Sequence, residues 1–471
     1  MNSNQNIESN PMGKYSVNPS VECARESANH QSGLSDLNQR INQPPTTIRP
    51  AGQIVTPLPP LGKRSLYLLI TELGLAVFGV YISSGFNSVA ISVLLKEKGL
   101  SDALNSLNLS LYIMGYIAGC FLVIFLFRKL SSQKATLFVI VGILMSVLAF
   151  AFIKQTIFLI FWNFIQGVFA AAIAVIFSNI VTTISCFMKN KSFFIAIYVS
   201  VSSLAFFLGV ESIGFLYKIS HVSPFLLLTL FTGILSLPLI FSKGIHEAME
   251  PGVEEHKASS VNLLSSMKSL VTIPVAFFSI IMYGLNNNII GLIPIWELDQ
   301  GYGLGNVAIL ITPLIMGGII LTSFFGSFSH YIGVTKTALI YTAILLSSIF
   351  IMHLRSFRNF SEIPLFLGMV ESPILFISGG VINAFQSLYL CILSDRFKGA
   401  ALTGACASAS FLSHVVGVIV VPLGGLMMVK KGHHSLGVLI LVINGVFVAF
   451  LLFQLWKQRK SSRNYSDQQA E

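Results

Sequence analysis

Between Ser65 and Trp456 the chain writes twelve apolar runs, most of them long enough to cross a bilayer. A spanning helix needs about 20 apolar residues, and lipid offers the backbone no hydrogen-bonding partner, so runs of this length must be helices. The runs are Ser65–Leu95, Leu107–Phe127, Ala135–Ile153, Ile157–Phe187, Phe193–Tyr217 and Ser223–Phe241, then Leu270–Leu298, Val307–Tyr331, Thr337–Leu354, Ile363–Leu393, Ala400–Val429 and Ser435–Trp456. The chain is 54% hydrophobic and only 10% charged. A soluble domain carries roughly 25% charged residues, so lipid must solvate much of this surface.

The second half repeats the first. A shift of 202 residues carries Gly99 onto Gly301, Met114 onto Met316, Gly115 onto Gly317 and Lys134 onto Lys336. It also carries Ile124–Ser131 onto Gly326–Gly333. The first, fourth, seventh and tenth runs, the same place in each triplet, are each about 30 residues and should tilt or project beyond the bilayer. The expected fold class is an all-α integral membrane protein, with twelve transmembrane helices in two pseudo-repeated six-helix bundles. Such halves are an architecture of secondary transporters, which bind substrate between them near the midplane.

The expected organisation has five parts. Residues 1–62 are rich in Asn, Ser, Gln and Pro and read as a disordered tail. Residues 63–242 and 269–456 form the two bundles. Residues 243–268 form the polar central loop, with Glu247, Glu250, Glu254 and Glu255, and residues 457–471 form a second tail. No signal peptide is visible, so the first helix should serve as its own insertion signal.

Of 29 Lys and Arg residues, four precede Lys63, 17 fall on the side shared by Lys63, the central loop and the C-terminus, and eight fall on the other. The positive-inside rule then makes both termini and the central loop cytoplasmic, in a plasma (inner) membrane. The same distribution explains the net charge of +10 without nucleic acid. The cysteines, Cys23, Cys120, Cys186, Cys391 and Cys406, form no CxxC or paired set, so neither a metal site nor a disulfide framework is expected. No P-loop, HExxH or GxSxG occurs, so neither ATP, a cofactor nor catalysis is implied.

The six-plus-six layout with a long central loop resembles the major facilitator superfamily, from Ser65 to Trp456. That family carries a Gly-x-Leu-x-Asp-Arg-x-Gly-Arg motif between its second and third helices. Here it is eroded to Ile124-Phe-Leu-Phe-Arg128-Lys-Leu-Ser131, with a second copy, Gly326-Ser-Phe-Ser-His330-Tyr-Ile-Gly333. Arg128 and His330 stand where the family has the aspartate that helps to latch one conformation. The helix-four motif Arg-x-x-Gln-Gly appears as Asn163-Phe-Ile-Gln166-Gly167, without its arginine. The resemblance implies alternating access, with helices one, four, seven and ten lining a central cavity.

Away from the ends of the runs, three acidic residues lie inside them: Glu72, Glu211 and Glu371. A charge in the bilayer core costs at least about 2.5 kcal/mol, so such groups usually face a cavity or a partner. With His414 they are the proton-coupling candidates, and a neutral group bonded between helices is the bland alternative for each. Asn286, Asn287 and Asn288 are expected to interrupt the seventh run after Gly284, and Asn87 follows Gly85 at the comparable place in the first. With Asn163, Asn179, Asn383 and Gln386 they are the substrate-binding candidates, since amides both donate and accept. Interhelical bonding is again the alternative. Arg128, Gly326, His330 and Gly333 are the conformational-motif candidates. The function expected is secondary transport of a small organic solute, with protons as the coupling ion. The partners are lipid and solute, and the chain is expected to work as a monomer. A transporter-like receptor or scaffold is the alternative.

Overall fold

The computed structural model describes residues 63–100, 102–219, 223–249, 263–290, 308–356, 364–431 and 434–470. The tail over residues 1–62 lies outside these. The described helices are α1 (Lys63–Glu97), α2 (Asp102–Lys129), α3 (Ser132–Phe150), α4 (Thr156–Ser185), α5 (Lys191–Ile219), α6 (Ser223–Phe241), α7 (Lys243–Met249), α8 (Leu263–Val271), α9 (Pro274–Ile290), α10 (Ala308–Gly326), α11 (Phe328–Ile332), α12 (Val334–Ser356), α13 (Pro364–Arg396), α14 (Gly399–Lys431) and α15 (His434–Ala470). Ten are long and apolar enough to cross a membrane among the described residues. The pair α8 and α9 passes the same test only together, across a 107° bend, and the apolar helix Val334–Phe350 is shorter.

That bend departs from the sequence reading, which ran one helix from Leu270. The break falls at Thr272 and Ile273, before Pro274. A proline lacks the N–H that would continue the helix and pushes the preceding residue out of the helical region, but it suits the first turn of a new helix. The central segment also differs from a plain loop, because α7 and α8 are helical. α7 is docked by His246, whose ring nitrogens lie 3.1 Å from Ser132 Oγ and 3.2 Å from the Leu239 carbonyl. α15 continues past the apolar run to Ala470. Where the chain turns after α1, Gly99 has φ +78 and the Leu100 amide donates to the Leu95 carbonyl at 3.1 Å, a helix-ending geometry that glycine adopts without strain.

The helix pairings show the repeat. In the first half α1 packs on α5 and α6, α2 on α4, and α3 on α4 and α6. In the second, α9 packs on α14 and α15, α10 on α13, and α12 on α13 and α15. Each pairing in one half has its counterpart in the other. The seam between the halves follows the same rule, α2 against α14 and α5 against α10.

Small residues set the closest crossings. An added Cβ on Gly85 would strike the Phe206 carbonyl of α5, and one on Gly284 would strike the Ser413 carbonyl of α14. Gly115 meets the Phe164 carbonyl and Gly317 the Phe376 carbonyl in the same way. In lipid, where apolar surface alone does not drive helices together, such backbone approach supplies the packing.

Candidate functional site

Tyrosines from both halves gather at the middle of the seam. They are Tyr81 on α1, Tyr112 and Tyr116 on α2, Tyr198 on α5, Tyr283 on α9 and Tyr389 on α13. The Tyr283 and Tyr389 rings are 6.0 Å apart and those of Tyr112 and Tyr116 6.3 Å. Tyr81 is 6.4 Å from Phe177 of α4, and it lies within electrostatic reach of Tyr112, Tyr116, Tyr198, Tyr283 and Tyr389. His414 of α14 stacks on Tyr116 of α2, with ring centroids 3.8 Å apart and planes at 15°. Tyr198 and Tyr389 are buried, whereas Tyr81, Tyr112, Tyr116 and Tyr283 each keep part of their surface accessible. The Tyr198 hydroxyl is buried, within reach of Tyr81 and Ser178.

His414 Nδ1 lies 2.8 Å from the Ser410 carbonyl and 2.9 Å from Ser413 Oγ. A carbonyl only accepts, so Nδ1 carries the proton and Nε2 holds the ring's basic lone pair. The stack on Tyr116 crosses the seam, so any opening of the halves there changes what surrounds this ring.

The end of the bundle that carries Lys63 and the end of α15 is closed by polar contacts between the halves. Lys191 pairs with Asp395 at 2.9 Å. Asn179 donates to Thr403 at 2.9 Å, while deeper in the bundle, past the level of Tyr198 and Tyr389, Asn383 donates to Ser203 at 2.8 Å and Ser200 and Ser323 share a bond of 3.0 Å. Lys398 Nζ reaches Cys186 Sγ at 2.8 Å. Ser192 bonds to Cys391 Sγ at 3.3 Å and accepts from Ser329 at 3.1 Å.

The other candidate residues fall in several places. Glu72 is half-buried on α1, with Oε2 enclosed and without a partner. Glu211 is exposed on α5 and accepts from Thr312 of α10 at 3.2 Å. Glu371 belongs to α13, and its side chain lies outside the described residues. The three asparagines after Gly284 do not interrupt α9. Asn286 donates back to Met282 at 2.8 Å and Asn288 to Gly284 at 2.6 Å, so the helix continues to Ile290. Asn286 also reaches Asn444 of α15 at 3.0 Å, and Asn288 the Ser413 carbonyl at 3.1 Å. Asn287 is half-buried. Asn163 binds Asn108 at 3.2 Å within the first half, and Asn87 is fully buried with both amide atoms unpaired. Gln386 sits beside the Tyr389 hydroxyl.

Arg128 and His330 are exposed, at the end of α2 and in α11. Gly326 closes α10 where Ala196 of α5 occupies the place of a Cβ, and Gly333 has φ +84. The tyrosine group was missed because aromatic rings read as apolar in a hydropathy pattern. One signal was available: the same 202-residue shift carries Tyr81 onto Tyr283.

A family model described as Major Facilitator Superfamily matches residues 73–402. The fold is similar to the crystal structure of the Major Facilitator Superfamily transporter FucP in the outward conformation, with 15% identity and a TM-score of 0.60 over 83% of this chain and 99% of that one. It is also similar to a variant of the E. coli fucose:proton symporter FucP, with 15% identity and a TM-score of 0.59 over the same shares. No curated protein sequence matches the chain. Paired helices in two repeated halves, a seam between them and this family match converge on one conclusion: the chain belongs to the Major Facilitator Superfamily, and is a membrane transporter rather than an enzyme.

Proposed function

We propose that the chain moves a small organic solute by alternating access, binding it among the tyrosines at the seam. The observation that carries this reading is the gathering of Tyr81, Tyr112, Tyr116 and Tyr198 from one half with Tyr283 and Tyr389 from the other. A solute held there touches both halves and is released to one side when they part. The polar contacts around Lys191 and Asp395 close one end of the path in the arrangement described. Gln386 and Asn287 are the proposed amide contacts. The other asparagines already spend amide groups on neighbouring helices, apart from Asn87, which has none.

Coupling to protons is proposed through His414, because it is the ionisable group that touches the tyrosines and its stack spans the seam. Glu72, Glu211 and Glu371 are its proposed companions. The positive-inside rule places the termini in the cytoplasm, and the protein is proposed to act as a monomer in the plasma (inner) membrane.

The test is flux. Purified protein is screened against a solute library by thermal shift, since a ligand of the folded state raises its apparent stability. Solutes that bind are then followed in counterflow and pH-driven uptake in proteoliposomes. Counterflow of a bound solute is the expected result, and binding without flux overturns the reading in favour of a receptor. His414→Gln should keep counterflow and lose pH-driven accumulation. Undiminished accumulation would move coupling to the carboxylates.

A further inference from the structure

We propose that Cys186 and Lys398 form a redox-controlled clamp between the two halves, a sulfur–nitrogen bond made when hydrogen peroxide oxidises the thiol. Cys186 follows α4 in the first half, and Lys398 lies between α13 and α14 in the second. Lys398 Nζ is 2.8 Å from Cys186 Sγ and donates to the Ser394 carbonyl at 2.6 Å. The same carbonyl lies 3.8 Å from Cys186 Sγ. One backbone oxygen therefore holds the thiol and the amine side by side across the seam.

Access singles out this thiol. Of the four free cysteines among the described residues, Cys120, Cys391 and Cys406 are buried, and Cys186 keeps part of its surface exposed. Lys398 is exposed as well. Oxidation follows access to the sulfur, so a polar oxidant entering from this end meets Cys186 first. Cys391, in the second half, is shielded by the seam itself, with its thiol bonded to Ser192 of the first half at 3.3 Å.

The chemistry closes with peroxide as the one added reagent. Peroxide gives one oxygen to the Cys186 sulfur, which becomes a sulfenic acid, and its other oxygen leaves as water. Lys398 loses its ammonium proton to solvent, and the free amine attacks the sulfenic sulfur. The S–O bond breaks, the S–N bond forms, and hydroxide leaves as water with one amine proton. Sulfenic acids condense with nitrogen in this way, and a partner already in contact gains from proximity. Excess thiol reverses the bond, first to a mixed disulfide and then to the free thiol. The clamp lies at the end closed by Lys191 and Asp395, so that end stays shut while the bond lasts. This consequence rests on the proposed parting of the halves, whereas the bond itself does not.

The test uses the full chain in lipid nanodiscs, treated with dilute hydrogen peroxide and digested without reductant. Mass spectrometry should find the Cys186 peptide joined to the Lys398 peptide, the pair lighter by two hydrogens and separated by dithiothreitol. Lys398→Arg keeps the charge but should stop at the sulfenic acid, trapped by dimedone. Cys186→Ser should give neither product. The clamping is read from N-ethylmaleimide labelling of Cys391, which needs the seam to open. Peroxide should slow that labelling in the native chain but in neither variant, and dithiothreitol should restore it. No reaction at Cys186, Cys186 joined to Cys391 instead, or equal dimedone trapping in the native chain and Lys398→Arg overturns the proposal. A joined pair with unchanged Cys391 labelling leaves the bond standing and overturns the parting of the halves at this end.

Discussion

The two halves share their crossings but not their polar bonds. Gly85 and Gly284 lie within one turn of each other in the repeat, on α1 and α9, each against the backbone of the paired helix. Two residues on, Asn87 and Asn286 are both buried. In the second half Asn286 bonds to Asn444 of α15. In the first half the link between α1 and the corresponding α6 is made one turn away, by Ser83 and Thr232, and Asn87 is left with neither amide atom paired. Backbone approach tolerates little variation, because any Cβ at these glycines meets a carbonyl. A side-chain bond can move by one turn and still tie the same two helices. The repeat therefore survives in glycines more faithfully than in amides.

The largest effect should come from the shared element. Gly115→Leu and Gly317→Leu each force α2 from α4 or α10 from α13, and each should cost more than about 4 kcal/mol. Loss of the monodisperse peak in size-exclusion chromatography is the readout, and tolerance of either variant would break the equivalence. The unshared element should give an intermediate, asymmetric effect. Asn286→Leu strands Asn444 and should destabilise by about 1–3 kcal/mol. Asn87→Leu removes a group with no partner and should be neutral or stabilising. Equal losses of Tm in the two variants would mean that Asn87 is bonded in the working protein.

The smallest effect on stability should lie at the closed end of the seam. Lys191 and Asp395 keep 35% and 51% of their side-chain surfaces exposed. A pair this accessible contributes about 0–1 kcal/mol. Lys191→Ala should thus leave Tm nearly unchanged, yet it should raise cysteine labelling along this end of the seam. A fall in Tm as large as that of Asn286→Leu would place the pair among the structural bonds.

The same contrast explains what could be read from the sequence. The sixth run, Ser223–Phe241, coincides with α6, because apolar length fixes a helix in lipid. The seventh run did not, because hydropathy ignores what Pro274 does to the residue before it. Asn286 and Asn179 stood out as polar groups in apolar helices. Whether such an amide meets a helix or a solute depends on its direction around the helix and on tilt, which residue type does not encode. Tyr198 and Tyr389 contributed to the apolar pattern and disappeared into it.

The central claim is that the two halves move apart and together about the tyrosines. Double electron–electron resonance tests it without a known solute. Spin labels go on Lys189→Cys and Arg396→Cys, exposed residues beside the Lys191–Asp395 pair, in a chain whose native cysteines are replaced. The protein is measured in nanodiscs with and without Lys191→Ala. The account predicts two distance populations, the shorter matching the closed end described here, with the longer one gaining when the ion pair is removed. A single short distance in both proteins would contradict it.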